Sequence, residues 1–290
     1  MKGGRGRIGR LGAATVVVAC LGCTSGSPAA VTTSRPAGAS SPGGDFAGGT
    51  PLTPGQAGEF AAMLFNNYEA GGATFTATVP YGSAATFVLN GDVDWRTHQI
   101  RAVLETRFTS GQPAQRRDLV VAGGRLLDGG VLGLTAAMAE RGQPAVRWVA
   151  RPLSADSRVP LDVVLNLILR LASDQRENPL LLRQGDTAFL RQEQLGSAAV
   201  SVYRFGPRTV YWLERGSGRL VKVALRLEVA KGATEVVLSD HRAVSIALPK
   251  AVEVVVSEAI PDVLARLESP AATNGATDPS TAAPWVSRPG

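Results

Sequence analysis

Cysteine and histidine are nearly missing from this chain: among 290 residues there are two cysteines, Cys20 and Cys23, and two histidines, His98 and His241. Both cysteines fall near the N-terminus, so the sequence beyond Cys23 can form no disulfide and offers no paired-cysteine zinc site. No His-x-x-Glu-His spacing and no Gly-x-Ser-x-Gly elbow occurs. Lysine is scarce too, limited to Lys2, Lys222, Lys231 and Lys250. The formal charge of +6 is misleading. Setting aside Lys2, Arg5, Arg7 and Arg10 leaves 26 Lys and Arg against 24 Asp and Glu, with no polybasic run. Nucleic-acid binding needs a clustered basic footprint and has no support here.

What stands at the N-terminus is an export pattern. A basic segment precedes the uncharged stretch Leu11–Gly22, which ends in small residues beside a cysteine. That order predicts a signal peptide over 1–22, and a Cys directly after the small residue reads as a bacterial lipobox. Leu21-Gly22-Cys23 favours Cys23 as the lipidated residue, and Val17-Val18-Ala19-Cys20 makes Cys20 the alternative. The apolar run is short of the roughly 18–20 residues that span a bilayer. The expected location is extracytoplasmic, with the chain anchored to the cell membrane by covalent lipid. Gly4-Arg5-Gly6-Arg7-Ile8-Gly9 matches a dinucleotide fingerprint but has no strand before it and lies in the signal.

Residues 23–52 are mostly Thr, Ser, Gly, Pro and Ala and read as a disordered tether; 269–290 has the same character and reads as a disordered tail. Between them, 53–268 is expected to form one domain. Thr53-Pro54-Gly55-Gln56 predicts a capped helix start, and Gly71-Gly72 its stop. Strands are expected over 74–79, 86–94, 99–108, 117–121 and 125–127, with 129–158 irregular apart from a short strand at 147–150. In 99–108, Ile100, Ala102, Leu104 and Phe108 face one way and Arg101, Glu105 and Arg107 the other. A strongly apolar helix follows at 161–171, broken only by Asp162, Asn166 and Arg170, which form one narrow stripe expected to face water. Further strands are expected at 187–192, 200–205, 209–213, 220–229, 235–240 and 244–248, then a helix at 258–267. The fold class is α+β: a curved, largely antiparallel sheet, a half-barrel, with helices covering its concave apolar face.

No constellation for catalysis emerges, and the chain reads as a non-enzyme with no cofactor and no metal. His98 and His241 sit beside polar turns. Asp92 and Asp94 could suggest a calcium pair, but both read as a solvated strand end without further ligands. The informative feature is the one-sided sheet under an apolar helix. Ile100, Leu104, Val164, Ile168, Leu171, Val223 and Leu225 are the candidates to line a lipid cavity.

The succession of capped helix, Gly71-Gly72, Thr74–Val79 and Gly91-Asp92-Val93 carries a resemblance. So does the hairpin Val210-Tyr211-Trp212-Leu213-Glu214 to Gly218-Arg219-Leu220-Val221-Lys222-Val223, followed by Val237-Leu238-Ser239-Asp240. The chain resembles the LppX/LprA/LprF/LprG lipoproteins of mycobacteria and related actinobacteria, with a fold similar to the LolA and LolB carriers. The resemblance implies binding and carriage of an acylated lipid or glycolipid, with an envelope transporter as a further partner. The alternative is an envelope scaffold or interaction lipoprotein with a solid core. The helix at 258–267 and the Arg-rich stretch 139–158 depart from the family pattern.

Overall fold

The computed structural model describes residues 46–154, 158–228, 230 and 232–268. The signal segment, Cys20, Cys23, most of the 23–52 stretch, Val229 and the 269–290 tail lie outside the described residues. The fold begins before residue 53: Phe46 is buried and strand β1, Thr50–Pro51, already pairs with the sheet.

Helix α1, Pro54–Ala70, starts with the capping box the sequence predicts. The Gln56 amide donates to Thr53 Oγ1 at 3.3 Å, and the Thr53 amide donates to Gln56 Oε1 at 2.9 Å. The helix stops at Gly71, whose φ of 88° suits a residue without Cβ. The chain then runs through β2 (Gly72–Tyr81), β3 (Ala85–Asp94), β4 (Gln99–Phe108), β5 (Gln115–Ala122) and β6 (Arg125–Asp128). Gly91 is needed on β3 because a Cβ there would strike the Arg101 carbonyl of β4. Next come α2 (Leu134–Glu140), β7 (Trp148–Pro152), α3 (Pro160–Leu169) and α4 (Pro179–Gln184). The second meander is β8 (Thr187–Leu195), β9 (Ala198–Phe205), β10 (Thr209–Glu214), β11 (Leu220–Arg226) and β12 (Ala233–Ser239). The described part closes with β13 (Val254–Val256) and α5 (Pro261–Glu268).

Among the described residues, all thirteen strands form one sheet in the order β1-β8-β9-β10-β11-β12-β2-β3-β4-β5-β6-β7-β13. Every pairing is antiparallel except β13 on β7. One apolar cluster draws residues from β9 through β6 in that order, nine adjacent strands, together with α1 and α3. Nine strands at about 4.8 Å spacing thus share one connected core with α1 and α3 on one face of the sheet. The expected α+β half-barrel is what forms.

Three expectations need correction. Residues 244–248 are not a strand: both edges of β12 are already taken by β11 and β2, so the following segment cannot pair with the strand it leaves. Within the 129–158 stretch read as irregular, α2 forms, and α2 and α5 bury Leu134, Ala137, Met138, Ile260 and Val263 against Val149 of β7. Strand 220–229 alternates in sequence, with Val221, Val223, Leu225, Leu227 and Val229 against Lys222, Arg226 and Glu228. On β11 this shifts at a bulge opposite Trp212 and Leu213, so Leu220 joins Val223 on the inner face while Ala224 packs on the outer face.

Candidate functional site

The inner face is built from the strand alternation upward. Phe75 and Ala77 on β2, Leu89 on β3, Ile100 and Leu104 on β4, and Val223 on β11 point to the same side. Helix α3 lays Leu161, Val164, Leu165 and Ile168 onto them, and Leu171 follows just past its end. Six of the seven cavity candidates (Ile100, Leu104, Val164, Ile168, Leu171 and Val223) thus meet in one cluster, each at most 2% exposed. Leu225 does not join them. It lies half-buried near the end of β11, opposite Thr209 and Thr234, where the sheet runs out.

The polar stripe of α3 is not the water-facing seam that the helical spacing suggests. Asp162 is fully buried and takes a two-pronged ion pair from Arg151 of β7, at 2.6 and 2.7 Å, plus the Ser154 amide at 2.7 Å. Half-buried Asn166 donates to the Ser154 carbonyl at 2.9 Å, and of the three only Arg170 is exposed. The stripe fastens the start of α3 to the neighbouring chain. At the other end, Trp95 Nε1 donates to the Ile168 carbonyl at 2.9 Å. Buried Asn67 of α1 donates to the Leu171 carbonyl at 2.7 Å and accepts from the Leu220 amide at 3.2 Å. The Trp95 and Asn67 donors thus hold backbone carbonyls at and just past the end of α3.

Sequence reading missed an aromatic group at the end of the sheet. Phe60 of α1 packs against Tyr203, Phe205 and Tyr211, and Phe189 meets Tyr203 edge-on at 5.7 Å. The period-two placement of Tyr203 and Phe205 was the available signal. Helix α4 was missed as well, although Asn178-Pro179 is a capping pair and Asn178 Oδ1 does accept the Leu180 amide at 2.9 Å.

Burial lifts the Tyr203 phenol well above its ordinary range, helped by its 2.6 Å hydrogen bond to Glu59. Burial alone pushes Tyr211 up to about 12. An acid whose pKa is raised on folding gives stability that is whole below its unfolded pKa and lost above it. Stability should hold up to pH about 10 and fall towards pH about 12. Urea unfolding followed across that range checks this, and Tyr211→Phe should flatten part of the decline.

Several other titratable groups make structural contacts. Asp94 is buried in the turn after β3, accepting from the Arg96 amide, the Thr97 amide and the Thr97 hydroxyl. Asp92 accepts from Thr74 and Arg242 with its side chain 41% exposed, so of the pair only Asp94 departs from a solvated strand end. Burial raises Asp128 despite the Arg117 guanidinium 2.6 Å away. His98 is exposed in a turn at φ 53°, while His241 lies 6.2 Å from the Trp95 ring with its pKa lowered by burial. The two histidines therefore occupy different settings. Away from the inner face, a cleft of about 300 Å³ lies between α2 and α5, lined by Ala137, Glu140, Arg141, Asp262, Val263 and Arg266. Ion pairs Arg141–Asp262 and Arg266–Glu140 cross it. Among the described residues no helix is long and apolar enough to cross a membrane.

No protein-family model matches this chain, and no curated protein matches it by sequence. Among solved structures it is similar to LprF from Mycobacterium bovis, at 13% identity and a TM-score of 0.40, covering 70% of this chain and 99% of that one. It is also similar to an uncharacterised conserved protein from Thermus thermophilus, at 10% identity and a TM-score of 0.34, covering 66% of this chain and 94% of that one. A third likeness is to the MucA/MucB complex of Pseudomonas aeruginosa, at 16% identity and a TM-score of 0.30, where 67% of this chain spans 59% of the matched one.

Proposed function

We propose that this chain is a non-enzymatic, lipid-anchored envelope protein that holds the acyl part of a lipid or glycolipid against its inner sheet face, beneath α3. The observation that carries this is the apolar cluster continuous over nine strands and closed by α1 and α3. Between its polar fastenings at Asp162 and Ile168, α3 meets the sheet through Val164 and Leu165. An acyl chain can replace such contacts like for like, gaining roughly 0.8 kcal/mol per buried CH₂ without any charged partner. The lipobox at Cys23, or Cys20, supports work at a membrane surface, where cargo would be exchanged with an envelope transporter.

One observation favours a second reading, a solid-core interaction lipoprotein. Six of the seven lining candidates are already sealed by their neighbours, as in an ordinary core. Native mass spectrometry of the chain without its own acyl groups, purified from its native host, separates the two. The carrier reading expects mass additions that organic extraction identifies as acylated lipid. Repeated spectra of the bare chain would leave the interaction reading.

A further inference from the structure

Three large apolar side chains stand exposed at one end of the sheet. Leu180 and Leu181 of α4 are 61% and 64% exposed, and Phe205 at the end of β9 is 47% exposed. Leu182 packs onto the core, so α4 is held in place while its two preceding leucines face outward. Register sets Phe205 at the end of the sheet that α4 leads into: Phe205 is the ladder partner of Thr187, which follows α4 by three residues, and the Gly206 amide donates to the Asp186 carbonyl at 2.7 Å. Arg183, exposed in the last turn of α4, adds a long side chain able to extend from an apolar surface to a polar one.

The chain joins the described fold at this same end. Phe46 packs on the outer face beneath the Arg226 guanidinium, 4.3 Å from its ring, and Arg226 is the last residue of β11. Arg204, one residue before Phe205, donates to the Gly48 carbonyl at 3.2 Å. Only 22 residues separate Cys23 from Phe46, a reach of at most roughly 75 Å when fully extended. A lipid on Cys23 would therefore be joined to the domain through the end that carries Leu180, Leu181 and Phe205.

We infer that this end is a membrane-docking face: Leu180, Leu181 and Phe205 enter the headgroup–acyl boundary of the bilayer that holds the Cys23 lipid. The inference rests on the anchored, lipid-holding reading and deepens it, because docking here sets the aromatic end of the inner face against the lipid surface.

Flotation of the mature chain without its acyl groups, on vesicles of phosphatidylethanolamine and phosphatidylglycerol, tests the idea. The chain should partition onto the vesicles, and Leu180→Ser with Leu181→Ser should lower its partition coefficient about tenfold or more, because both buried side chains are lost from the interface. Val237→Ser, a comparable loss from the middle of the outer face, should leave it unchanged. An unchanged partition in the double variant, or no partition by the parent chain, overturns docking. So does a dimer in vesicle-free solution that the double variant dissolves, since the face would then pair two copies. Native mass spectra of the same proteins keep the two proposals apart. Bound lipid with an unaltered vesicle partition defeats docking alone, and bound lipid with a lowered partition supports it.

Discussion

Asp162→Ala should lower the stability of the fold by about 3–5 kcal/mol, the cost of leaving a buried charge without its partner. Asp162 has no solvent contact and holds Arg151 through both guanidinium arms, with the Ser154 amide as a third donor. Removing the carboxylate strands a guanidinium whose side chain is only 20% exposed, and frees a backbone amide as well. Urea unfolding of the two proteins measures the difference directly. Replacing the pair together, with Asp162→Leu and Arg151→Met, should recover most of the loss, because apolar substitutes of similar volume avoid the desolvation cost. An exposed pair such as Arg208–Glu228 is a useful contrast: its Glu228→Gln change should cost under about 1 kcal/mol. A loss of that small size at Asp162 would show that α3 is not fastened through β7.

The same residue shows where sequence reasoning reached its limit. Periodicity placed Asp162, Asn166 and Arg170 correctly on one stripe, yet a stripe has no address until tertiary structure supplies its neighbour. A partner for Asp162 existed eleven residues upstream in Arg151, inside a stretch with no pattern strong enough to place it. Where local chemistry suffices, the reading was close. The Thr53–Gln56 box closes as expected, β4 spans Gln99–Phe108 as its alternation indicates, and Gly71 ends α1. Residues 244–248 alternate as well as many true strands, but β12, which they follow, already has β11 and β2 on its two edges. For the inner face, facing was legible for Ile100, Leu104 and Val223, which follow strand alternation. Leu225 obeys the same alternation but lies where the sheet ends, and that is set by the length of neighbouring strands. The exposed leucines of α4 stood in a short Pro-led turn, where no apolar period could develop.

Trp95→Ala should cost about 3–5 kcal/mol, the range for emptying a buried aromatic site, since Trp95 is among the largest fully buried side chains in the fold. Its position is fixed from both sides: its amide donates to the Gly71 carbonyl at 3.0 Å, and Asp94 ties down the turn that follows. The indole fills the space near His241 and reaches the Ile168 carbonyl, so it joins the end of β3 to the end of α3. Trp95→Phe separates these roles. Much of the ring volume remains, the Ile168 carbonyl loses its indole donor but keeps the Leu171 amide at 3.3 Å, and the cost should fall to about 1–3 kcal/mol. Hydrogen exchange then tests whether α3 is the part that yields. Loss of one fastening should speed exchange in Val164–Leu169 while α1, held by its own cap and by the Leu220 amide of β11 that donates to Asn67, keeps its protection. If α1 and α3 instead gain exchange equally, the two helices open as a single unit, and an acyl chain would have to enter by displacing both rather than by sliding beneath α3.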